Sequence, residues 1–467
     1  MGRIAAPLIS SSLAPLLALA VVAAQDRHDV RRISWDDVTA FHNQLNARQI
    51  DRGTFGTFVA RTYDENVRRV REGDLDHLVF YILQSTRFTK LPPIEPALSA
   101  KSVVDALGAE ERQGFLAGSS VASAKVPATV RARLTAFLRA IDSPTEDDPR
   151  LAYFRDLVRA TIPDGRQREG RLAHEYLRAM RFVYKKEFVA QKAERPAEAI
   201  AALYRSRGLS TDTAVEAGFL VHYGLGIAKG LDAKRRVRRV LIIGPGLDLA
   251  PRTSFADDRP PESYQPWAII DALLSLDLSR PDDLDVVAAD INPRVVDHLN
   301  LASRTPPTLT LVSEIRESDT ITLSEDYQSY FAELGRRIGK VDTPPRRTAS
   351  GHLRKEVAID QAVARHLTAV ALDIVTERLD EREFDLVVAT NILPYFDDLQ
   401  LMLTVSNIAA MVAPGGVFLH NEARPVLGEL TEAVGLRFEQ SRHAVIATVQ
   451  GAATPLFDSV WLHRRLR

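Results

Sequence analysis

Apolar positions along this chain of 467 residues follow one period in its first half and another in its second. Up to about residue 220 they recur at helical spacing, as at Trp35, Val38, Phe41 and Leu45. From about residue 215, short Val-, Leu- and Ile-rich runs alternate with helical segments, and this order predicts parallel strands joined by right-handed crossovers. The predicted fold class is α/β: a doubly wound, Rossmann-like sheet domain over residues 216–467, preceded by an all-helical N-terminal domain over residues 25–215.

Short apolar runs bounded by Gly, Pro or polar residues predict the strands of the sheet. They are residues 237–243, 285–289, 308–312, 367–375, 384–389 and 417–420, with 436–449 and 459–463 as an antiparallel pair that closes the sheet. Residues 324–338 predict a helix, and the Pro-containing residues 342–351 predict a surface loop or an insertion.

The first 24 residues have the composition of a secretory signal peptide. Arg3 supplies a positive charge, residues 16–24 (LLALAVVAA) form an apolar run with small residues at its end, and polar Gln25 follows. We predict cleavage near Ala24 and no stable transmembrane span afterwards. An exported, periplasmic protein follows from this prediction. An uncleaved anchor or a misassigned start codon is the alternative, and without an export signal the protein is cytoplasmic.

Charge and cysteine content exclude several classes of protein. The 60 Lys and Arg nearly balance the 61 Asp and Glu, which argues against a dedicated nucleic-acid binder. The chain has no Cys, so disulfides, thiolate catalysis and Cys-ligated metals are excluded. Its 11 His residues are scattered and none pairs as H-x-x-x-H, so no metal site is predicted.

Candidate chemistry falls at the predicted carboxyl ends of the strands, where doubly wound sheets bind their ligands. The first strand ends in the turn Gly244-Pro245-Gly246, the second in Asp290, and the strand FDLVVA is followed by Thr390 and Asn391. Glycines let the backbone turn sharply and approach a ligand, and a carboxylate accepts hydrogen bonds from ribose hydroxyls. Each feature alone also has a structural explanation as a turn or a helix cap.

The order VLIIGPG … VVAADINPRVV … FDLVVATNILPYF … MVAPGGVFL resembles the class I S-adenosylmethionine-dependent methyltransferases. The resemblance covers about residues 235 to 465. The segment FDLVVATNILPYFDD is particularly similar to the chemoreceptor (protein-glutamate) methyltransferases, although Thr390 stands where those enzymes carry Arg. The resemblance implies S-adenosylmethionine as the cofactor, with no metal.

The resemblance also implies roles for individual residues. In the family, the first motif lies under the methionine part of the cofactor, and the acid after the second strand holds the ribose. The implied cofactor contacts are Gly244, Pro245, Gly246, Asp248, Asp290, Ile291, Asp373, Ile374 and Asn391. Asp373 or Ile374 would lie near the adenine, and Asn391 and Tyr395 would line the methyl-transfer site as the catalytic pair. The acceptor, a small molecule or a protein, is not implied.

Two functions remain open. The first is a methyltransferase of unknown acceptor, and the second is an exported, non-catalytic binding or interaction protein on a degenerate methyltransferase fold. The non-catalytic function remains open because the first glycine motif is degenerate. Ile242 and Ile243 precede Gly244, where the family carries an acidic residue, and no third Gly follows. The resemblance to a nicotinamide-binding motif is weaker than the resemblance to the methyltransferases. That motif would need Gly or Ala at position 249, where this chain has Leu.

Methyl transfer from a sulfonium is an in-line displacement that depends mainly on alignment of donor and acceptor. A general base is needed only if the attacking nucleophile carries a proton. Tyr395 and His420 are the candidates that the sequence offers for that role.

Overall fold

A computed structural model of the chain describes residues 28–143, 148–249, 260–348, 351–380 and 383–466. The predicted signal peptide lies outside the described residues. The helices are α1 (His42–Ala47), α2 (Phe55–Gln84), α3 (Pro96–Asp105), α4 (Ala109–Ala117), α5 (Ala128–Asp142), α6 (Pro149–Thr161), α7 (Arg168–Tyr184), α8 (Pro196–Arg205), α9 (Val215–Leu231), α10 (Gln265–Ser275), α11 (Pro293–Arg304), α12 (Glu325–Glu333), α13 (Gln361–Ala364), α14 (Asp398–Met411) and α15 (Pro425–Ala433). The strands are β1 (Val30–Arg32), β2 (Arg239–Ile243), β3 (Asp285–Asp290), β4 (Thr308–Val312), β5 (Ile321–Leu323), β6 (Gly339–Arg347), β7 (Leu353–Ile359), β8 (Leu367–Ala371), β9 (Glu377–Leu379), β10 (Phe384–Ala389), β11 (Val412–His420), β12 (Leu436–Val449) and β13 (Leu456–Arg465).

An eight-stranded sheet in the order β5-β12-β13-β11-β10-β2-β3-β8 forms the centre of the fold. The strands from β8 to β11 pair in parallel, whereas β13 runs antiparallel to β11, and β12 runs antiparallel to β13. The chain therefore starts the sheet at β2, adds β3 and β8 on one side, and then reverses to add β10 to β13 on the other side, where the earlier, short β5 forms the edge. This reversal at β2 and β10 is the topological switch point of a doubly wound sheet, and the α/β prediction is confirmed to that extent.

The central strands are buried on both faces. Val240 and Ile242 of β2 face a core that includes α2, α5, α6 and α7, and Leu241 and Ile243 face a second core that includes α14 and α15. None of these four side chains is more than 3% exposed. Because both faces are covered, β2 is a continuous apolar run with no polar alternation. Burial of each such side chain contributes about 1.5–3 kcal/mol.

The N-terminal helices pack directly against the sheet and share its core. The prediction of an all-helical region before residue 216 is wrong at one element, because Val30–Arg32 forms β1 and pairs antiparallel with β9. Three residues are too few to show a period, so only the partner strand reveals this element. The pairing ties the beginning of the described chain to the loop region that follows β8.

Two other elements differ from the sequence prediction. Thr308–Val312 is a strand, but it pairs with β7 in a separate antiparallel sheet of order β4-β7-β6. The predicted loop at residues 342–351 lies largely within β6, which pairs with β7. Apolar runs indicate that a segment is extended, but they do not state its partner. None of the helices in the described parts of the chain is both long and apolar enough to cross a bilayer.

Candidate functional site

Four parallel strands end side by side at one edge of the sheet. At or just beyond the carboxyl ends of β8, β3, β2 and β10 lie Asp373, Asp290, Gly244 and Asn391, respectively. All four residues border one cavity, which contains about 730 Å³ of empty space that is partly open to solvent. The cavity lies where doubly wound sheets bind their ligands, at the carboxyl ends of the strands beside the switch point.

The Gly-Pro-Gly turn after β2 adopts a conformation that favours glycine. Gly244 and Gly246 have φ angles of 66° and 76°, and the Gly244 N–H donates to the carbonyl of Ala289 at 2.9 Å. A Cβ on Gly244 would lie 2.4 Å from Cγ2 of Ile392, and one on Gly246 would lie 2.2 Å from Oγ1 of Thr213. Close packing of the chain's own loops therefore requires both glycines, whatever else they contact.

Asp290 is 8% exposed and borders the cavity. Its Oδ1 accepts a hydrogen bond from the Asn292 N–H at 2.8 Å, and the backbone of Gly246 donates to it as well. Burial, together with a smaller effect of the nearby charge of Asp74, raises the pKa of Asp290 to about 7 in spite of these hydrogen bonds. A ligand that donates hydrogen bonds to this carboxyl would favour its charged form.

Asp373 lies just beyond β8 and is held by α2. Its carboxylate accepts hydrogen bonds from Asn66 Nδ2 at 3.0 Å and from Thr376 Oγ1 at 2.7 Å. Gln400 fixes the Asn66 amide in turn, with Nε2 3.2 Å from its oxygen. Burial raises the pKa of Asp373 to about 6. The second carboxyl of the cavity is thus oriented by a helix far away in the sequence.

Asn391 follows β10 in the left-handed conformation, with a φ of 63°. Its N–H donates to Oδ1 of Asn421 at 2.9 Å, and its own Oδ1 accepts from Nδ2 of Asn421 at 2.7 Å. Asn421 is also 3.3 Å from Oδ2 of Asp458. The reciprocal amide pair fixes an exposed Asn391 at the mouth of the cavity.

Tyr395 is buried at the wall of the same cavity. Its ring packs edge-on against Tyr204 with the centroids 5.4 Å apart, and the Ser210 N–H donates to its hydroxyl. Burial raises the pKa of Tyr395 to about 12. The phenol therefore keeps its proton at neutral pH, where it can donate a hydrogen bond but cannot act as the general base that the sequence suggested.

A segment from the N-terminal half forms the roof of the cavity. Residues 208–213, which we call the strap, join α8 to α9 without regular secondary structure, and Leu209 to Thr213 all border the cavity. Thr211 exchanges two hydrogen bonds of 2.8 Å with the backbone of Leu247. Arg69 of α2 donates to the carbonyls of Arg207 and Tyr395, at 3.0 Å in both cases. Sequence reasoning missed the strap, although its polar sequence LSTDT between two helices was a usable signal.

The strap rests on α2 through a contact between two glycines. A Cβ on Gly73 would lie 1.8 Å from the carbonyl oxygen of Leu209, and one on Gly208 would lie 2.3 Å from the nitrogen of Gly73. Both obstacles are backbone atoms, so neither can be relieved by a rotamer change.

We expect Gly73→Ala to push the strap off α2. Unfolding should become easier by about 1–3 kcal/mol, which is typical of overpacking, although Ala is the better helix former. Gly56→Ala in the same helix is the matched control, because its Cβ would meet nothing within 4 Å. Chemical denaturation of both variants is the measurement. Equal stability of the two variants would contradict the contact.

Three predicted residues lie away from the cavity. Pro245 and Asp248 are buried but do not border it, because the turn runs beneath the strap and Asp248 then pairs its backbone with Glu262. His420 is 1% exposed and stacks on Trp461 and His463, so it is not placed to accept a proton in the cavity. Gly244, Gly246, Asp290, Ile291, Asp373, Ile374, Asn391 and Tyr395 do border it.

Within the described ranges, no group of three or more His, Asp or Glu side chains is arranged to hold a metal ion. No known family model and no curated protein matches the sequence. Solved structures similar to the chain include the N-methyltransferase NodS from Bradyrhizobium japonicum with S-adenosylhomocysteine, at 16% identity over 53% of this chain and 86% of that chain, with a TM-score of 0.28.

Two further similar structures carry different activities in their names. One is a TehB-like S-adenosylmethionine-dependent methyltransferase from Corynebacterium glutamicum, at 15% identity over 52% of this chain and 88% of that chain, with a TM-score of 0.24. The other is the cyclase SpnF, at 8% identity over 52% and 81%, with a TM-score of 0.28. A fold by itself does not specify a chemistry.

Proposed function

We propose that this protein is an S-adenosylmethionine-dependent methyltransferase whose acceptor is not yet identified. The observation that carries the proposal is the convergence of a glycine turn, two carboxyls and an amide on one cavity at the ends of four neighbouring parallel strands. A nucleoside needs acceptors for its hydroxyl and amino groups beside a flat apolar surface, and the cavity offers both.

The residues fit the parts of this cofactor. Asp290 offers the ribose hydroxyls a carboxyl at the end of the second parallel strand, as in doubly wound nucleotide sites. Asp373 lies just beyond the next strand, β8, and the neighbouring Leu372 and Ile374 supply apolar surface for the adenine. Gly244 and Gly246 leave backbone at the cavity wall on the far side of Asp290 from Asp373.

S-adenosylmethionine, when bound, supplies a methyl group activated by a sulfonium. The protein's task is to hold the acceptor in line with it, and alignment of this kind supplies several kcal/mol. Asn391 and Tyr395 border the cavity on the β10 side, across β2 from the two carboxyls. Asn391 is fixed by Asn421, and the protonated Tyr395 can orient an acceptor atom by donating a hydrogen bond.

The similarity of FDLVVATNILPYFDD to the chemoreceptor methyltransferases concerns a strand and its turn. Thr390, which stands where those enzymes carry Arg, is 2% exposed and accepts a hydrogen bond from Gln265. This position offers no positive charge to a carboxylate acceptor. We therefore do not extend the proposal to chemoreceptor carboxylates.

We expect the full chain to bind S-adenosylmethionine and S-adenosylhomocysteine with micromolar affinity, about −8 kcal/mol. Calorimetric titration with each ligand, together with a thermal-shift assay, is the measurement. S-adenosylhomocysteine tests the nucleoside and amino-acid contacts without the methyl group. The absence of heat and of a thermal shift at millimolar ligand would falsify the methyltransferase proposal.

The second candidate is a non-catalytic binding protein that retains the fold. It is favoured by the internal contacts of the site, since Thr213 fills the space beside Gly246 and both carboxyls already accept hydrogen bonds from the chain. The titration separates the two candidates, because an inert fold has no reason to bind the cofactor. Cleavage of the predicted export signal is a separate prediction, and N-terminal sequencing of the mature protein would test it.

A further inference from the structure

A second cavity lies beside the first, under the N-terminal helices. It contains about 850 Å³ of empty space, partly open to solvent. Phe80 of α2 and Phe182 of α7 form aromatic walls, and Pro96 and Ala97 of α3 add apolar surface. The helix α7 continues there into a turn of π-helix, Lys185–Val189, a rare geometry that is frequent at functional sites.

The strap separates the two cavities and contributes to both. Successive side chains of the strap contact different neighbours. Thr211 bonds to the turn after β2, whereas Ser210 and Asp212 meet His77 of α2. Ser210 and Asp212 border the first cavity and the second one. They are the side chains that a molecule in the second cavity would meet on its way to the cofactor.

Asp212 is held by two neighbours. Its Oδ1 accepts a hydrogen bond from the Leu249 N–H at 3.2 Å, and its Oδ2 lies 3.4 Å from Nε2 of His77. The same nitrogen lies 3.0 Å from Oγ of Ser210. His77 has no exposed surface, and its Nδ1 is buried without a hydrogen-bond partner. With its proton on Nε2, His77 points that donor at the strap and steadies the Asp212 carboxylate.

The charges of the second cavity favour some acceptors over others. Its two cations each have a carboxylate partner: Arg207 lies 3.2 Å from Asp76, and Lys186 lies 3.3 Å from Glu187. Three carboxylates, those of Glu95, Glu187 and Asp212, border the cavity against these two cations, so an acceptor with a carboxylate would meet a net negative lining. A flat apolar molecule with a hydroxyl or amino group can instead pack on the phenyl rings and present its N–H or O–H to Asp212.

We infer that the second cavity binds the methyl acceptor, a small planar molecule with an O–H or N–H nucleophile, and that Asp212 is the catalytic residue that takes its proton. This inference rests on the proposed methyltransferase function. The acceptor's lone pair forms the new bond to the methyl carbon while the carbon–sulfur bond breaks and its electron pair stays on sulfur. The sulfonium becomes a neutral thioether, and the acceptor's proton passes to the Asp212 carboxylate.

The first experiment measures binding to the second cavity. Ligand-observed NMR is run on the full chain with S-adenosylhomocysteine, using a panel of small phenols and aromatic amines and a shape-matched panel of aromatic carboxylates. Ala97→Trp fills the cavity, and Leu98→Trp on the same helix is the control, because Leu98 is 64% exposed and does not border it. We expect phenols or amines to bind the protein and Leu98→Trp but not Ala97→Trp, and S-adenosylhomocysteine to bind all three.

The second experiment measures methyl transfer to the compounds that bind, by mass spectrometry with S-adenosylmethionine. Asp212→Asn keeps an acceptor for the Leu249 N–H but removes the base. It should lower kcat about a hundredfold or more while KM and S-adenosylhomocysteine affinity stay nearly unchanged. His77→Gln should lower kcat less, because His77 only positions the carboxylate.

The outcomes separate the two proposals. If the unaltered protein does not bind S-adenosylhomocysteine, the methyltransferase proposal itself is wrong. If that ligand binds but no panel compound does, or if carboxylates bind better, the acceptor cavity is wrong. Binding of the panel compounds by Ala97→Trp as strong as by the unaltered protein would also overturn the assignment of the acceptor to this cavity. Unchanged kcat in Asp212→Asn would overturn the role of Asp212 and leave the methyltransferase proposal intact.

Discussion

Asp290→Asn should make the protein more stable and at the same time impair its cofactor site. Burial raises the pKa of Asp290 from 3.8 to about 7, so the folded state binds this proton more tightly than the unfolded state does. The stability that the group contributes is complete below pH 3.8 and is lost as the pH rises to about 7. At pH 8 the loss of folding stability caused by the ionised Asp290 amounts to up to about 4 kcal/mol. Asn does not ionise, so the variant avoids this loss.

The gain in stability from Asp290→Asn should therefore depend on pH. Denaturant unfolding of the variant and the unaltered protein at a series of pH values should show a difference that grows between pH 4 and 7 and is constant above. Asp285→Asn at the exposed start of the same strand is the control and should show no such trend. A difference independent of pH would mean that burial does not destabilise the ionised form of Asp290.

The same variant tests the proposed function. Asn keeps one acceptor oxygen but loses the charge, and a hydrogen bond to a charged group contributes about 1.5–3 kcal/mol. We expect S-adenosylhomocysteine to bind about ten- to a hundredfold more weakly, measured by calorimetry at pH 8. A stabilised variant with unchanged affinity would mean that Asp290 is a structural carboxyl and that the cofactor, if bound, lies elsewhere.

His463→Gln should protect the protein against acid. His463 is 2% exposed in the stack with His420, and burial lowers its pKa from 6.5 to about 4, although a hydrogen bond to the backbone of Leu436 opposes this shift. The folded state holds the ring neutral, whereas the unfolded state protonates it below pH 6.5. Stability is therefore complete above pH 6.5 and falls toward pH 4, by about 3 kcal/mol in total.

Gln removes this titration and can still donate a hydrogen bond to the backbone. Relative to the unaltered protein, His463→Gln should gain stability progressively between pH 6.5 and pH 4 in denaturant unfolding. Comparing the two proteins at each pH cancels the opposing titrations of Asp290 and Asp373. His443→Gln on the exposed part of β12 is the control. Parallel pH profiles for all three proteins would contradict the account of a buried neutral His463.

The sequence by itself determined the parallel strands at the centre of the main sheet and the residues at their ends. Residues 384–389 were predicted as a strand and form β10, and residues 285–289 fall within β3. These signals are local, because buried parallel strands are short apolar runs bounded by turn residues. Once the strands are parallel, their carboxyl ends must meet at one edge. Asp290 and Asn391 were therefore predicted to lie at the same edge of the sheet, although they are about a hundred residues apart in the sequence.

Only the tertiary structure decided what covers that edge. The strap lies over the Gly-Pro-Gly turn because Gly73 of α2 admits the backbone of Leu209, and Asp373 is oriented by Asn66 of the same helix. The second cavity exists because α2, α3 and α7 meet beside Asp212. Such contacts join segments distant in the sequence and depend on complementary shapes. An amphipathic pattern specifies which face of a helix is buried, but it does not specify what that face is buried against.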